Sequence, residues 1–129
     1  MINSSDIEAF QYWNEQTNDH SYMDSFQNFD AYQDFTDSTA IYPDDKALEY
    51  VALGLASEAG EFAGKIKKFI RDGTYDTNDI ASELGDVVWY CARAAEEMGL
   101  LFSDVVRMNV DKLEDRLARG VLKGSGDKR

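Results

Sequence analysis

Apolar positions along this chain recur with the period of an α-helix rather than that of a β-strand. From about Lys46 to Arg71, apolar side chains fall every three or four residues and form one stripe on an ideal helix of about 100° per residue. That stripe consists of Leu48, Val51, Leu55, Phe62, Ile66 and Phe69. No segment alternates polar and apolar residues between turn signals, as a half-buried strand would. The pattern therefore predicts an all-α chain.

Capping residues divide the part before the long helix into two shorter helices. The sequence "SSDIE" resembles a capping box and predicts a first helix from Ser5 to about Thr17. A second short helix is predicted from Phe29 to Thr39. Pro43 stops it, and either Asp44 or Asp45 is expected to cap the long helix.

A second helix pair follows a short turn. In "DGTYDTND", Gly73 suits the residue after a helix end, and Asp76 or Thr77 suits the next N-cap. The helix beginning there is predicted to run to Met98. Short connections of this kind favour a helical bundle.

The last predicted helix begins after a glycine break, is capped by Ser103 and ends near Arg119. The chain then divides into three parts. They are an acidic N-terminal extension (residues 1–28), a helical domain (29–120) and a glycine-rich basic tail (121–129).

Charge and composition narrow the class of protein. The formal net charge of the 129 residues is -12, and the part before Lys46 carries 10 acids and no Lys or Arg. Duplex nucleic acid is therefore not expected as a partner, because its phosphates bind cationic surfaces. The sequence has neither a long apolar run nor the features of a signal peptide, so we expect a soluble cytoplasmic protein without membrane association. Cys91 lies on an apolar helix stripe and is interpreted as a reduced core thiol.

Polar residues border the apolar stripe at the same offsets, i, i+3 and i+7, on three predicted helices. Side chains at such offsets project from one helix edge toward a neighbouring helix. The three sets are Glu58, Glu61 and Lys65; Glu83, Asp86 and Tyr90; and Asn109, Lys112 and Arg116. We therefore expect three helices to direct polar groups toward one seam.

Carboxylates gathered at such a seam would repel one another unless a cation held them ionised. Mg²⁺ suits this role because it takes oxygen ligands and commonly shares its shell with substrate phosphates, and Mn²⁺ is an expected substitute. Nearby bases could then bind the phosphates: Lys65, Lys68, Lys112 and Arg116. A simpler interpretation stays open, in which the acids and lysines form solvated helix faces and Tyr90 is an aromatic residue at the core edge.

The motifs "EAGE" (58–61) and "ELGD" (83–86), together with "LGLASEAGEFAGKIKK", "MNVDKL" and "RGVLKGSGD", resemble the MazG-like all-α nucleotide pyrophosphohydrolases. The resemblance extends over about residues 32–127. It implies a bundle completed by assembly as a dimer or tetramer, and Mg²⁺-dependent cleavage of nucleoside triphosphates, with deoxy substrates favoured, to the monophosphate and pyrophosphate. Many members carry a further acid where this sequence has Ser57.

The resemblance also assigns roles residue by residue. It implies that the four motif acids are the metal ligands and catalytic residues: Glu58, Glu61, Glu83 and Asp86. It further implies that two lysines meet the phosphates and that residues of two helices complete the nucleotide site: Lys65, Lys68, Tyr90, Asn109 and Lys112. Such an enzyme would clean or recycle the nucleotide pool.

Two further expectations concern partners. Trp89 lies opposite the stripe of its helix, so another subunit is expected to cover this face, although a first helix folded over it would also serve. The alternative function is a non-catalytic acidic helical interaction module, or a mimic of nucleic acid, which the acidic charge before Lys46 favours. That alternative predicts no phosphate chemistry.

Overall fold

The computed structural model describes residues 28–126, and within them all regular structure is helical. Short turns join the last three of the four α-helices, and a 3₁₀ turn (Asp44–Lys46) precedes the longest helix. The helices are α1 (Phe29–Asp37), α2 (Ala47–Asp72), α3 (Thr77–Glu97) and α4 (Phe102–Ala118). The all-α prediction is confirmed. The predicted helix from Ser5 to Thr17, and most of the acidic extension, lie outside the described residues.

The helices α2 and α3 form a tight hairpin and are each other's main packing partners. Gly73 ends α2 in the left-handed conformation, with φ 73°, and its N–H donates to the Phe69 carbonyl at 2.8 Å. The Asp76 carboxylate then caps α3 by accepting from the backbone N–H groups of Asn78 and Asp79 at 3.0 and 3.1 Å. Both predicted signals are confirmed, and this short turn runs the two helices antiparallel.

The start of α4 is capped by side chains of α1. Asp30 accepts from the Ser103 backbone N–H at 2.9 Å and from its hydroxyl at 2.7 Å, and Gln33 accepts from the Phe102 N–H at 2.8 Å. Ser103 was expected to be the N-cap, but Leu101 occupies that position without a side-chain bond. The prediction was wrong because α1 satisfies these N–H groups from a distant part of the chain.

The start of α2 also differs from its prediction. Neither Asp44 nor Asp45 caps it, because both lie in the 3₁₀ turn, and Lys46 occupies the N-cap position without a side-chain bond. Within residues 28–126, no helix is both long enough and apolar enough to cross a membrane.

The buried core is small for the number of apolar residues in the sequence. Its centre is Ala92, Ala95 and Phe102, against which Tyr32 and the half-buried Cys91 pack. Burial raises the pKa of the Cys91 thiol, as expected for a core cysteine. Many residues of the predicted stripes are nevertheless exposed, among them Leu48, Phe69, Leu84, Met98, Val110, Leu113 and Leu117. A single copy of residues 28–126 therefore leaves much of its apolar stripe surface uncovered.

Trp89, on the back of α3, is covered by the segment that follows α1. Its indole N–H donates to the Thr39 hydroxyl at 2.8 Å, and its ring meets Tyr42 edge-on at 6.4 Å between centroids. Another subunit was the favoured cover for this face, but the segment that follows α1 contacts Trp89 within the same chain. Trp89 gives no reason of its own for a second subunit.

Candidate active site

Three of the four motif acids meet between α2 and α3. Glu58, Glu83 and Asp86 each offer a carboxylate oxygen, and these oxygens lie within 4.8 Å of one another. Glu58 comes from α2 and the other two from α3, one helical turn apart. Glu61 is exposed and lies outside this group. The set of donors consists only of oxygen and suits a hard divalent cation.

The electrostatics of this group are clearest at Glu58, which feels the negative charges of the other three motif acids. The pKa of Glu58 is raised above its ordinary value, first by desolvation and then by the negative charges of Asp86, Glu83 and Glu61. A cation placed between the carboxylates would relieve this repulsion. Glu61 is thus close enough to act on the cluster without belonging to its tightest part.

Lys65 is engaged by acids of α3. Its ammonium lies 2.6 Å from each carboxylate oxygen of Asp79 and 3.5 Å from Glu83. These contacts raise the pKa of Lys65, chiefly through the hydrogen bond to Asp79. Lys65, expected to meet phosphates, is therefore bound mainly to Asp79, one turn before Glu83 on α3, and also contacts Glu83 at the edge of the acid cluster.

Lys68 lies further toward the hairpin turn. Together with Lys65 it lines a cavity of about 320 Å³ at the end of α2 and the beginning of α3. Phe69 and Tyr75, which meet edge-to-face at 5.1 Å, also line it. Both lysines thus lie on the same side of the acid cluster, toward the turn.

A larger cavity, of about 410 Å³, opens on the opposite side of the acids. Glu58 and Asp86 stand at one wall, while three aromatic side chains and a threonine form the rest. The complete lining is Phe35, Thr39, Glu58, Asp86, Trp89 and Tyr90. Cavities of this size and mixed apolar character commonly hold small organic ligands.

Tyr90 reaches this cavity because α2 has a glycine beneath it. A Cβ on Gly54 would lie 2.1 Å from Cε1 of Tyr90, far inside van der Waals contact. The absent side chain therefore allows the phenol ring to lie against the α2 backbone. Burial raises the pKa of Tyr90, with smaller contributions from Tyr50 and Glu58. The ring also meets Trp89 edge-to-face at 4.9 Å.

The three polar residues of α4 do not line the cavity beside the acids. Asn109 and Lys112 are exposed, whereas Arg116 is buried, with 5% of its surface accessible. The main packing partners of α4 are α1 and α3. Polar groups of three helices were expected at one seam, but those that come together belong to α2 and α3. The residues that line the cavity include none from α4.

Residues 46–120 match the family model of the MazG nucleotide pyrophosphohydrolase domain. The chain belongs to this family. It is also 42% identical over 111 residues to the Gene 37 protein of Mycobacterium phage L5, a match that covers 78% of this chain and 97% of that protein. The name of the phage protein states no activity. No solved structure matches the chain.

The MazG region contains both acidic motifs and all ten residues singled out from the sequence, but not the whole cavity wall. Phe35 and Thr39 lie before residue 46 and were not predicted. Their local sequence carries no signal, since they reach the cavity only because α1 packs on α3. Gly54 was also missed, and the sequence could not single it out, because Gly60 and Gly64 of the same helix meet nothing within 4 Å. Asp79 was seen only as part of the turn.

Proposed function

We propose that this MazG-family chain hydrolyses nucleoside triphosphates, with deoxynucleotides favoured, to the monophosphate and pyrophosphate. One observation carries the proposal above the others. Three carboxylates from two helices converge within 4.8 Å beside an aromatic-walled cavity of about 410 Å³. The acids would bind a metal that holds the phosphates, and the cavity beside them would hold the nucleoside, so both ends of such a substrate have a place.

In this proposal Glu58, Glu83 and Asp86 hold Mg²⁺, or Mn²⁺ in its place. Glu61 lies near enough to raise the pKa of Glu58 and would supply a further carboxylate. The bound metal would polarise a phosphate oxygen and favour an activated water or hydroxide for in-line attack. The carboxylates would hold the metal in place, and one of them would accept the proton of the attacking water.

The two cavities divide the substrate between them. Phe35, Trp89 and Tyr90 would contact the base, since aromatic faces stack on any nucleobase for about 1–3 kcal/mol each. Lys65 and Lys68 would neutralise phosphates on the other side of the acids. Lys65 would exchange part of its bond to Asp79 for a phosphate oxygen. Asn109, Lys112 and Arg116 stay a prediction for the nucleotide site, in a supporting role.

A homo-oligomer, either a dimer or a tetramer, is part of the proposal. Exposed apolar residues occur along α2, α3 and α4, including Leu53, Leu84 and Leu117, which have 73%, 45% and 65% of their surfaces accessible. A contact between copies would bury such residues. Light scattering at assay concentration tests this: a mass of two or four chains is expected, and a monomer that retains full activity would contradict it.

The same proposal assigns a cellular role and leaves one rival. Hydrolysis of triphosphates to monophosphates would clean or recycle the nucleotide pool of the cytoplasm. The rival, an acidic interaction module or mimic of nucleic acid, accounts for the charge of -10 before Lys46. It does not account for the convergence of acids beside an aromatic cavity, which favours the enzyme.

A substrate panel tests the proposal. The full-length protein is incubated with each common ribonucleoside and deoxynucleoside triphosphate, with Mg²⁺ or with EDTA, and the products are separated by chromatography. We expect monophosphate and pyrophosphate in equal amounts, only with metal, and faster for deoxy substrates. Release of orthophosphate with diphosphate, or no turnover of any triphosphate, would contradict the proposal.

A further inference from the structure

Arg93 is a buried cation that lies near the aromatic cavity but does not line it. It sits on α3, one turn beyond Trp89, with 5% of its surface accessible. A guanidinium in such a position is costly unless its donors are satisfied. Its partners therefore identify what it holds in place.

The guanidinium of Arg93 binds mainly the end of α1 and the segment after it. Its Nε donates to the Tyr42 hydroxyl at 2.9 Å, and Nη1 donates to the Thr36 hydroxyl at 3.3 Å and to the Asp37 carboxylate. Nη2 lies 3.4 Å from Glu97 on its own helix. Because the fork is planar, these contacts fix the direction of residues 36–42 over α3.

The residues that Arg93 holds lead directly to the cavity wall. Tyr42 donates to Glu97 and meets Trp89 edge-on at 6.4 Å. Thr39, three residues after Thr36, accepts from the Trp89 indole at 2.8 Å. The Thr39 hydroxyl also donates to the Thr36 carbonyl at 3.1 Å. Arg93 is thus linked to Thr39 through Thr36 and to Trp89 through Tyr42, although Arg93 itself does not line the cavity.

We propose that Arg93 is a positioning residue that fixes the Thr39–Trp89 rim of the nucleoside cavity and so determines which base the enzyme selects. This inference rests on the proposed function. The partners in residues 36–42 lie before the segment matched by the family model, so the rim is built from a part of the chain outside that match. None of these partners of Arg93 belongs to the acid cluster, so we expect metal binding to be unchanged when Arg93 is replaced.

The variant Arg93→Lys keeps the charge but loses the planar fork, and Tyr42→Phe removes one partner hydroxyl while keeping the ring. A matched control is Arg119→Lys, since Arg119, the residue that caps the end of α4, pairs with Asp115 at an exposed position. For Arg93→Lys we expect KM for the preferred triphosphate to rise about tenfold, with kcat within about twofold. Its preference over the other bases should fall by a similar factor. Tyr42→Phe should change both quantities in the same direction by a smaller factor.

Equilibrium binding of α,β-imido deoxynucleoside triphosphates, which resist cleavage at that bond, separates this inference from the proposed function. Wild-type protein that binds no analogue with Mg²⁺ would overturn the proposed function and the inference with it. Wild-type protein that binds one base preferentially, beside an Arg93→Lys variant with the same affinity and preference, would overturn the inference alone. A lower melting temperature with unchanged KM in both variants would also overturn the inference, because Arg93 would then have only a structural role. If Arg93→Lys folds poorly, Tyr42→Phe alone provides the test.

Discussion

The α2–α3 hairpin and α4 carry polar residues at the same helical offsets, yet only the hairpin gathers them into a cluster. Oxygens of Glu58, Glu83 and Asp86 lie within 4.8 Å of one another, whereas Asn109 and Lys112 on α4 are exposed. The turn between α2 and α3 is short, and capping at both its ends sets which faces meet. The start of α4 is instead capped by α1. Periodicity thus predicts the face of a helix, while connections and caps decide its neighbour.

The largest effect that would sharpen this comparison is expected from Glu83→Gln. It keeps the side-chain volume but removes a charge that the proposal uses to hold the metal. Turnover should fall roughly a hundredfold or more, which corresponds to about 3 kcal/mol of transition-state stabilisation. The metal-free variant should melt close to the wild-type temperature, because relief of like-charge repulsion offsets the weaker contact with Lys65.

The matched control for this prediction is Glu114→Gln, an exposed acid of α4 outside the cluster. It should retain wild-type turnover when pyrophosphate release is measured under the same conditions. Equal losses in the two variants would remove the distinction between the hairpin and α4.

A second, smaller effect is expected at the contact between α2 and α3. Gly54→Ala places a Cβ where the Tyr90 ring lies, so the ring must leave its position against α2. We expect kcat/KM to fall about tenfold, as displacement of one stacking contact implies, together with a lower melting temperature. Gly60→Ala is the control, since a Cβ there meets nothing within 4 Å. It should raise stability by about 0.5–1 kcal/mol, as Ala normally does inside a helix, and leave activity unchanged.

The sequence predicted the hairpin more completely than it predicted the surroundings of the acids. Gly73 and Asp76 act through neighbouring backbone groups, so their local sequence was sufficient. Phe35 and Thr39 act through a packing of α1 on α3 that no local pattern encodes. The same limit explains why Ser103 was assigned as a cap when its N–H and hydroxyl both donate to the distant Asp30.

A modest effect is expected from Lys112→Met on α4. The ammonium is exposed and does not line the cavity beside the acids, so a supporting contact to phosphate is the most we assign to it. KM should rise several-fold, by less than about tenfold, with kcat retained. Steady-state kinetics beside Lys123→Met, an exposed lysine of the tail, measure this. A hundredfold loss in kcat would put α4 in the same class as the hairpin.

The smallest effect concerns the cap of α4 and depends on pH. Hydrogen bonds from the Ser103 backbone N–H and then from its hydroxyl lower the pKa of Asp30 below its ordinary value. The ionised cap therefore adds stability above the unfolded pKa of about 3.9, and this contribution is lost as pH falls through the lower folded pKa.

Melting temperatures measured from pH 7 to pH 3 check this prediction. Asp30→Asn should melt below wild type at pH 7, and the difference should shrink toward pH 3. Asp34→Asn, at an exposed position of the same helix, is the control and should show little difference at either pH. A difference for Asp30→Asn that stays constant with pH would contradict a role for its charge.

Calorimetric titration of the full-length protein with Mg²⁺, and with Mn²⁺ as a tighter-binding probe, tests most directly whether the hairpin acids form a metal site. Glu58→Gln, Glu83→Gln and Asp86→Asn each remove one charge from the cluster, and Glu114→Gln removes one from α4. We expect the affinity of the first three variants to fall about tenfold or more, as loss of one ligand charge implies, while Glu114→Gln binds like wild type. Equal affinity in all four variants and in the wild type would contradict a metal site at the α2–α3 hairpin.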